Sequence, residues 1–251
     1  MNDDLPALRE SVAARRRELD ALRPLRGGAL EALRRQFDIE LTYTSNAIEG
    51  NTLSHRETAE LIEHGLTVGG KRLRDHLEAE DHYAALQWMR DLAASSTVLG
   101  ELTVTELHRR VVLRSQPDIA GVYSQYPRRI RNSAIVFPNP RKIPDLMAAF
   151  GERLAALPST PEAAFDAHLD LVSIHPYSDG NGRTARLLMN RPLVRGGWPP
   201  VSVHPEDRNA YLDALELAQL SGERTSYYRL MFSRLDATLA DYVGLLEEAL
   251  P

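Results

Sequence analysis

The stretch His175-Pro176-Tyr177-Ser178-Asp179-Gly180-Asn181-Gly182-Arg183-Thr184-Ala185-Arg186 gathers an imidazole, a carboxylate, two glycines around an amide and two guanidiniums. His175 can take a proton near neutral pH. Asp179 can hold a hard divalent cation. Gly180 and Gly182 let backbone N–H groups come close to an anion, and Asn181 adds an uncharged side-chain donor. Arg183 and Arg186 lie three apart, on one face of a following helix, and can grip phosphate oxygens. Each feature alone has an ordinary reading: a core histidine, a tight turn, a solvated helix face. In this order they are the parts needed to hold a polyphosphate and attack it, so the local chemistry is transfer of a phosphorus-containing group.

The flanking elements position these groups. Phe165, Leu169 and Val172 mark the buried face of a helix behind a Thr160 N-cap and Pro161. The pre-proline position disfavours αR at His175 and predicts that this helix ends there. A new helix is expected after Gly182, which sets the imidazole beside a helix N-terminus whose free N–H groups and dipole favour phosphate. Pro192 should kink or shorten that helix. Upstream, Leu5, Leu8, Val12, Leu19 and Leu22 mark one helix, stopped by Pro24 and Gly27-Gly28. Leu30, Leu33, Phe37 and Leu41 mark a second, ending near Glu49-Gly50. Ser54 and Glu57 form a capping-box pattern for a short helix ending at Gly65, and Thr103 and Glu106 repeat it. Between these lies a helix with Leu77, Ala84, Trp88 and Leu92 on its apolar face. The segment 126–137, with Ile130, Ile135, Val136 and a turn-like Asn132-Ser133, predicts a short β-hairpin. Two further helices cover about Glu206 to Leu220 and Thr225 to Ala249.

Bulk properties narrow the class. The formal charge of −5 gives no global attraction to nucleic acid or to acidic membranes. The chain has no cysteine, which excludes disulfides and thiolate metal sites and fits a reducing compartment. Met1-Asn2-Asp3-Asp4 leads into a charged helix and no apolar run is long enough to span a bilayer, so a soluble cytoplasmic protein is expected.

The central stretch resembles the signature of the Fic (Fido) family, His-x-Phe-x-Asp/Glu-Gly-Asn-Gly-Arg-x-x-Arg. Every polar position matches, and the one departure is Tyr177 where the family usually has Phe. The resemblance extends from about Thr103 to Leu235. It implies a mainly α Fic fold, a helical bundle with one short β-hairpin flap. It also implies transfer of AMP from ATP, with Mg2+, to a hydroxyl side chain of a target protein. Carried over by position, His175 becomes the general base and Asp179 the magnesium ligand. Asn181, Gly182 and Arg183 fall on the α- and β-phosphates beside Gly180, and Arg186 on the γ-phosphate. Tyr211 matches a tyrosine that packs near the adenine, whereas Leu212 and Gln219 depart from the family and leave base preference open.

Ser45-Asn46-Ala47-Ile48-Glu49-Gly50 resembles the family's inhibitory motif, Ser/Thr-x-x-x-Glu-Gly/Asn, in the subgroup (class II) whose own N-terminal helix is the inhibitor. The resemblance implies that Glu49 pairs with Arg186 and leaves the phosphates out of line for attack. The alternative for the same residues is a helix end whose Glu49 meets solvent or another arginine. The resemblance places the inhibitory helix in an N-terminal segment, 1–95, and the catalytic core in 96–251, with no room for an added winged-helix domain.

In the family's docking role, the 126–137 hairpin would pair with an extended segment of an unknown target protein. Arg128, Arg129 and Arg131 then either favour an acidic target or form a solvated basic turn, and they make a weak case for nucleic acid. His168 could join His175 and Asp179 at a metal, but a satisfied core histidine is the preferred reading. His108 and His204 have no partner pattern. Auto-modification, AMP removal with Glu49 orienting a water, use of another nucleotide, and a non-catalytic ATP-responsive binding module remain alternatives.

Overall fold

The structure, a computed structural model, describes residues 5–23, 28–129 and 133–248. Its helices are α1 (Leu5–Ala21), α2 (Gly28–Ile48), α3 (His55–His64), α4 (Leu73–Ala94), α5 (Glu101–Val112), α6 (Ile143–Ala155), α7 (Pro161–Ile174), α8 (Asn181–Arg195), α9 (Arg208–Ser221) and α10 (Thr225–Glu248). α7 and α8 pack together at the centre; α4 and α5 lie against α8, and α2 crosses α4 and α8. α1 pairs with α10. One apolar cluster runs from Leu5 and Leu19 through Leu86, Met89, Phe165 and Leu188 to Phe232 and Leu246, so the helices on either side of residue 95 share a core. No described helix is long and apolar enough to cross a membrane.

Local sequence accounts for several boundaries. Thr160 Oγ1 accepts from the Ala163 N–H and Pro161 occupies the first turn of α7. That helix stops at His175, which adopts the left-handed region at φ 50°, the one non-glycine with positive φ among the described residues. Such a conformation costs roughly 1–2 kcal/mol, so the surrounding loop has to hold it. The Ser54–Glu57 capping box forms at α3, and Gly65, at φ 66°, closes its C-terminus.

Other expectations are corrected. α8 begins at Asn181, so Gly182 lies in its first turn, and it continues a turn past Pro192 to Arg195. α5 begins at Glu101 behind Gly100, which leaves Thr103 and Glu106 inside the helix, where Glu106 pairs with Arg109 and Arg110. The buried face of α4 is not the one marked by Leu77, Ala84, Trp88 and Leu92. It carries Ala85, Leu86 and Met89 together with Asp75, Glu78, Asp81 and His82. That face meets polar groups: Glu78 approaches Arg183, and Asp81 accepts from the Arg114 and Ser115 N–H groups. Apolar periodicity misreads a face buried against charge.

Strand pairing is reduced to one isolated antiparallel bridge, Tyr123 with Tyr177, among the described residues. The described parts of the 126–137 segment form no strand, and the predicted tip around Ile130, Arg131 and Asn132 lies outside the described residues, as do Pro24, Gly27 and Ala249.

Candidate active site

The loop between α7 and α8 is built from buried polar contacts. Gly180 takes φ 79° as the N-cap of α8, and a Cβ there would lie 2.9 Å from Val112. Asn181 is 3% exposed. Its Oδ1 accepts from the Tyr177 N–H (2.9 Å) and its Nδ2 donates to the Tyr177 carbonyl (2.8 Å). The amide expected to meet phosphate is thus committed to the loop, and at this position α8 offers an anion its backbone. Thr184 Oγ1 donates to the Gly180 carbonyl at 2.8 Å.

His108, for which the sequence showed no partner, is central here. The Gly121 N–H donates to its Nδ1 (3.0 Å), so the proton of the neutral ring sits on Nε2, which donates to the Asp179 carbonyl (3.0 Å). Its ring stacks on Tyr177 at 3.5 Å and 2°, and burial pushes its pKa down to about 4. The Tyr177 hydroxyl, the departure from phenylalanine, reaches Thr105 at 3.5 Å.

Asp179 accepts from Gln116 (2.7 Å), Arg74 (3.0 Å) and the Gly180 N–H (2.6 Å). Burial raises its pKa, but the Arg183 charge, Gln116, the Gly180 N–H and Arg74 together hold it below the ordinary carboxylate value. Arg183 is 1% exposed, 3.5 Å from Asp179 and 3.7 Å from Glu78. Its Nε and Nη1 are buried without a hydrogen-bond partner. Unfilled donors on a buried guanidinium are what an anion site presents.

His175 stacks on Phe137 at 3.9 Å. Desolvation lowers its pKa to about 4, against the opposing pull of the Val172 carbonyl and the Glu49 carboxylate. It is therefore neutral at ordinary pH and able to accept a proton.

The end of α2 reaches into the same site. Arg186 Nε donates to Ser45 Oγ (2.9 Å), and Nη2 donates to the Ser45 carbonyl (2.8 Å) and to Glu49 Oε1 (2.7 Å). Burial opposes the Arg186 charge, but Glu49 and Tyr211 raise its pKa. Gly182 makes room for this contact: a Cβ there would lie 2.3 Å from Glu49 Oε1 and 3.0 Å from Arg186 Nη1. Gly50, at φ 89°, turns the chain out of α2, and Arg208 Nε donates to the Ile48 carbonyl at 2.8 Å.

A cavity of about 300 Å³ opens on His175, Gly182, Glu49 and Arg186, with Phe137, Leu212 and Gln219 in its wall; this is the lower end of the range for small-molecule pockets. Tyr211 lines it too, but its hydroxyl meets His168 Nε2 at 2.7 Å. His168 also bonds Tyr227 through Nδ1, at 2.9 Å, which makes it a satisfied core histidine. Arg128 donates to Ser124 and to Ser178 inside the motif, so it supports the loop; Arg129 is exposed and Arg131 lies outside the described residues. Among the described residues no group of three or more His, Asp or Glu is arranged as a metal cage. Sequence reasoning missed His108, Phe137, Arg74, Gln116 and Arg208. None carries a local pattern, because each joins the site from a different element.

A model of the Fic/DOC family matches residues 99–193. Over 223 residues the chain is 31% identical to protein adenylyltransferase fic-1 of Caenorhabditis elegans, covering 87% of this chain and 44% of that protein. It spans less than half the length of the curated relatives it matches first. In three dimensions it is similar to Fic-1 from C. elegans (TM-score 0.82, 30% identity, 94% of this chain and 71% of that one). It is also similar to a Fic domain containing signaling protein from Bacteroides thetaiotaomicron (TM-score 0.88, 26% identity, 95% and 97%).

Proposed function

The chain belongs to the Fic/DOC family, and from that premise we propose that it is a Mg2+-dependent protein adenylyltransferase restrained by its own α2. It moves AMP from ATP to a hydroxyl side chain of a target protein, or of itself. The observation that carries this reading is a convergence. A neutral imidazole, Gly182 in the first turn of α8 and the buried Arg186 face one cavity, and a carboxylate from α2 sits on that arginine.

ATP phosphates lie along the first turn of α8, on the backbone N–H groups of Asn181 to Arg183 and on the unfilled donors of Arg183. His175 takes the proton of the incoming hydroxyl as its oxygen bonds to the α-phosphorus; the bond to the bridging oxygen breaks and pyrophosphate leaves. Ionised Asp179 suits Mg2+, which is commonly held by one or two carboxylates plus phosphate oxygens and would supply charge neutralisation there. Arg74 and Gln116 now occupy that carboxylate and would have to yield. Arg186 holds the γ-phosphate, and Glu49 at 2.7 Å competes for the same guanidinium. This reading assigns the chain to the subgroup with an inhibitory N-terminal helix. The brake resides in 1–95 and the chemistry in 96–251.

The target docks along the 126–137 segment, whose Phe137 already covers His175 and whose Ala134 N–H is held by Glu216 of α9. A cysteine-free chain suits the reducing cytoplasm, the compartment we assign. A second reading, hydrolytic removal of AMP, is favoured by the Glu49 carboxylate acting electrostatically on His175, where it could orient a water.

The test is incubation of wild type, Glu49→Gly and His175→Ala with labelled ATP and lysate, followed by mass spectrometry. AMP transfer should rise about tenfold or more in Glu49→Gly, since a hydrogen bond to a charged group is worth about 1.5–3 kcal/mol. It should fall about 10²–10⁴-fold when His175 is also replaced. Nucleotide binding without any His175-dependent transfer would replace the enzyme with an ATP-responsive binding module.

A further inference from the structure

Asp179 divides its two oxygens between different kinds of partner. Oδ1 accepts from the Gly180 N–H at 2.6 Å and lies 3.5 Å from Nη2 of the buried Arg183. Both partners belong to the start of α8 and fix the carboxylate to the loop. Oδ2 accepts from Gln116 Nε2 at 2.7 Å and from Arg74 Nη2 at 3.0 Å. A carboxylate oxygen has about two lone-pair sites, so Oδ2 is filled. A cation that takes Oδ2 must therefore displace at least one of these groups. Gln116 is neutral, whereas a cation beside Arg74 meets a like charge.

Arg74 is also the group with somewhere to go. Its side chain is 50% exposed. Its Nε donates to Glu78 Oε1 at 2.8 Å, and the Glu78 side chain is only 10% exposed. The hydrogen bond to Glu78 is the largest effect on Arg74 and raises its pKa, ahead of the pull of Asp179. On releasing Asp179, Arg74 keeps this buried carboxylate and turns Nη2 to water. Arg183, 1% exposed, has no such exit. We infer that Arg74 is a tethered counter-cation that competes with the divalent cation for Asp179, and so sets how strongly Mg2+ supports nucleotide binding. Glu78 is the post to which it is tied. Arg74 is thus a positioning residue, because its effect passes through Asp179. The inference rests on the reading of Asp179 as the magnesium ligand.

The test is a binding measurement that needs no turnover. In the Glu49→Gly background, dissociation constants for ATP would be measured by calorimetry in EDTA and in excess Mg2+. The ratio of the first to the second reports what the cation adds. Arg74→Gln should raise that ratio about fivefold, the upper scale for a half-exposed ion pair. Arg72→Gln removes a charge of the same sign two residues away, on a side chain that pairs with Asp75 instead, and should leave the ratio within about twofold. An unchanged ratio in Arg74→Gln overturns the inference. So does an equal rise in Arg72→Gln, which would reduce the effect to net charge. If Arg74→Gln does not fold by thermal unfolding, Arg74→Met removes the same charge and decides by the same ratio. Asp179→Asn should abolish the gain from Mg2+. If the gain survives there, the reading of Asp179 as the magnesium ligand fails, and the inference with it.

Discussion

The loop between α7 and α8 and the end of α2 meet at Arg186, yet they are held in different ways. The loop is held by Asn181 and Thr184 of α8 and His108 of α5, which are buried and each pair with a backbone group. Moving those contacts would orphan buried donors or acceptors, which costs more than a single net hydrogen bond is worth. The end of α2 meets α8 through Arg186, whose bonds to Ser45 are buried and whose bond to Glu49 is partly open to solvent. The Glu49 side chain is 37% exposed, and its pairing with Arg186, like that of Arg208 with the Ile48 carbonyl, is a polar contact an anion or water can replace. The difference separates two tasks. On the proposed reading, the phosphate-handling geometry would be assembled in advance, while the contact proposed to block it would depend on one half-exposed carboxylate.

Acid should produce the largest effect. His82, His108, His168 and His175 are pushed down to about 3, 4, 3 and 4 by burial, from an ordinary value of 6.5. The unfolded chain takes up protons near 6.5 while the folded chain does not, so stability is complete above that pH and falls toward 4. Each group contributes on the order of 1.4 kcal/mol per pH unit. Summed over the four groups the loss from pH 7 to pH 4 is on the order of 10 kcal/mol, enough to unfold the chain in thermal melts, and a flat profile would break the claim that these buried histidines are neutral. Next in size, Asn181→Ala strands the Tyr177 N–H and carbonyl and should cost about 2–4 kcal/mol in urea unfolding. A loss no larger than that of a surface substitution would erase the contrast with α2. The smallest effect is expected from Arg208→Ala, which frees the Ile48 carbonyl. AMP transfer should rise about fivefold, equivalent to about 1 kcal/mol, with no further gain in the Glu49→Gly background. Additive gains there would show that Arg208 acts elsewhere.

Much of the framework was legible in the residues. Proline after His175, the Ser54–Glu57 box and Thr160-Pro161 mark boundaries through local sterics and capping, and the helices follow them. The inner face of α4 was not legible, since its buried Asp75, Glu78 and Asp81 look like a solvated side until their partners are placed. Asn181 opens α8 and Tyr211 lines the cavity, but their polar atoms turn to Tyr177 and to His168, which no local pattern indicated.

The sequence by itself determined which chemical groups are present and, at capped ends such as Ser54, Thr160 and His175, where helices begin and end, because those depend on neighbours within a turn or two. Only the tertiary structure decided what each polar group does. Glu49 lies at the end of α2 and Arg186 in α8, and the 2.7 Å contact between them exists because α2 packs across α8. A side chain's hydrogen bonds go to whatever the packing brings within reach, and no local spacing records that.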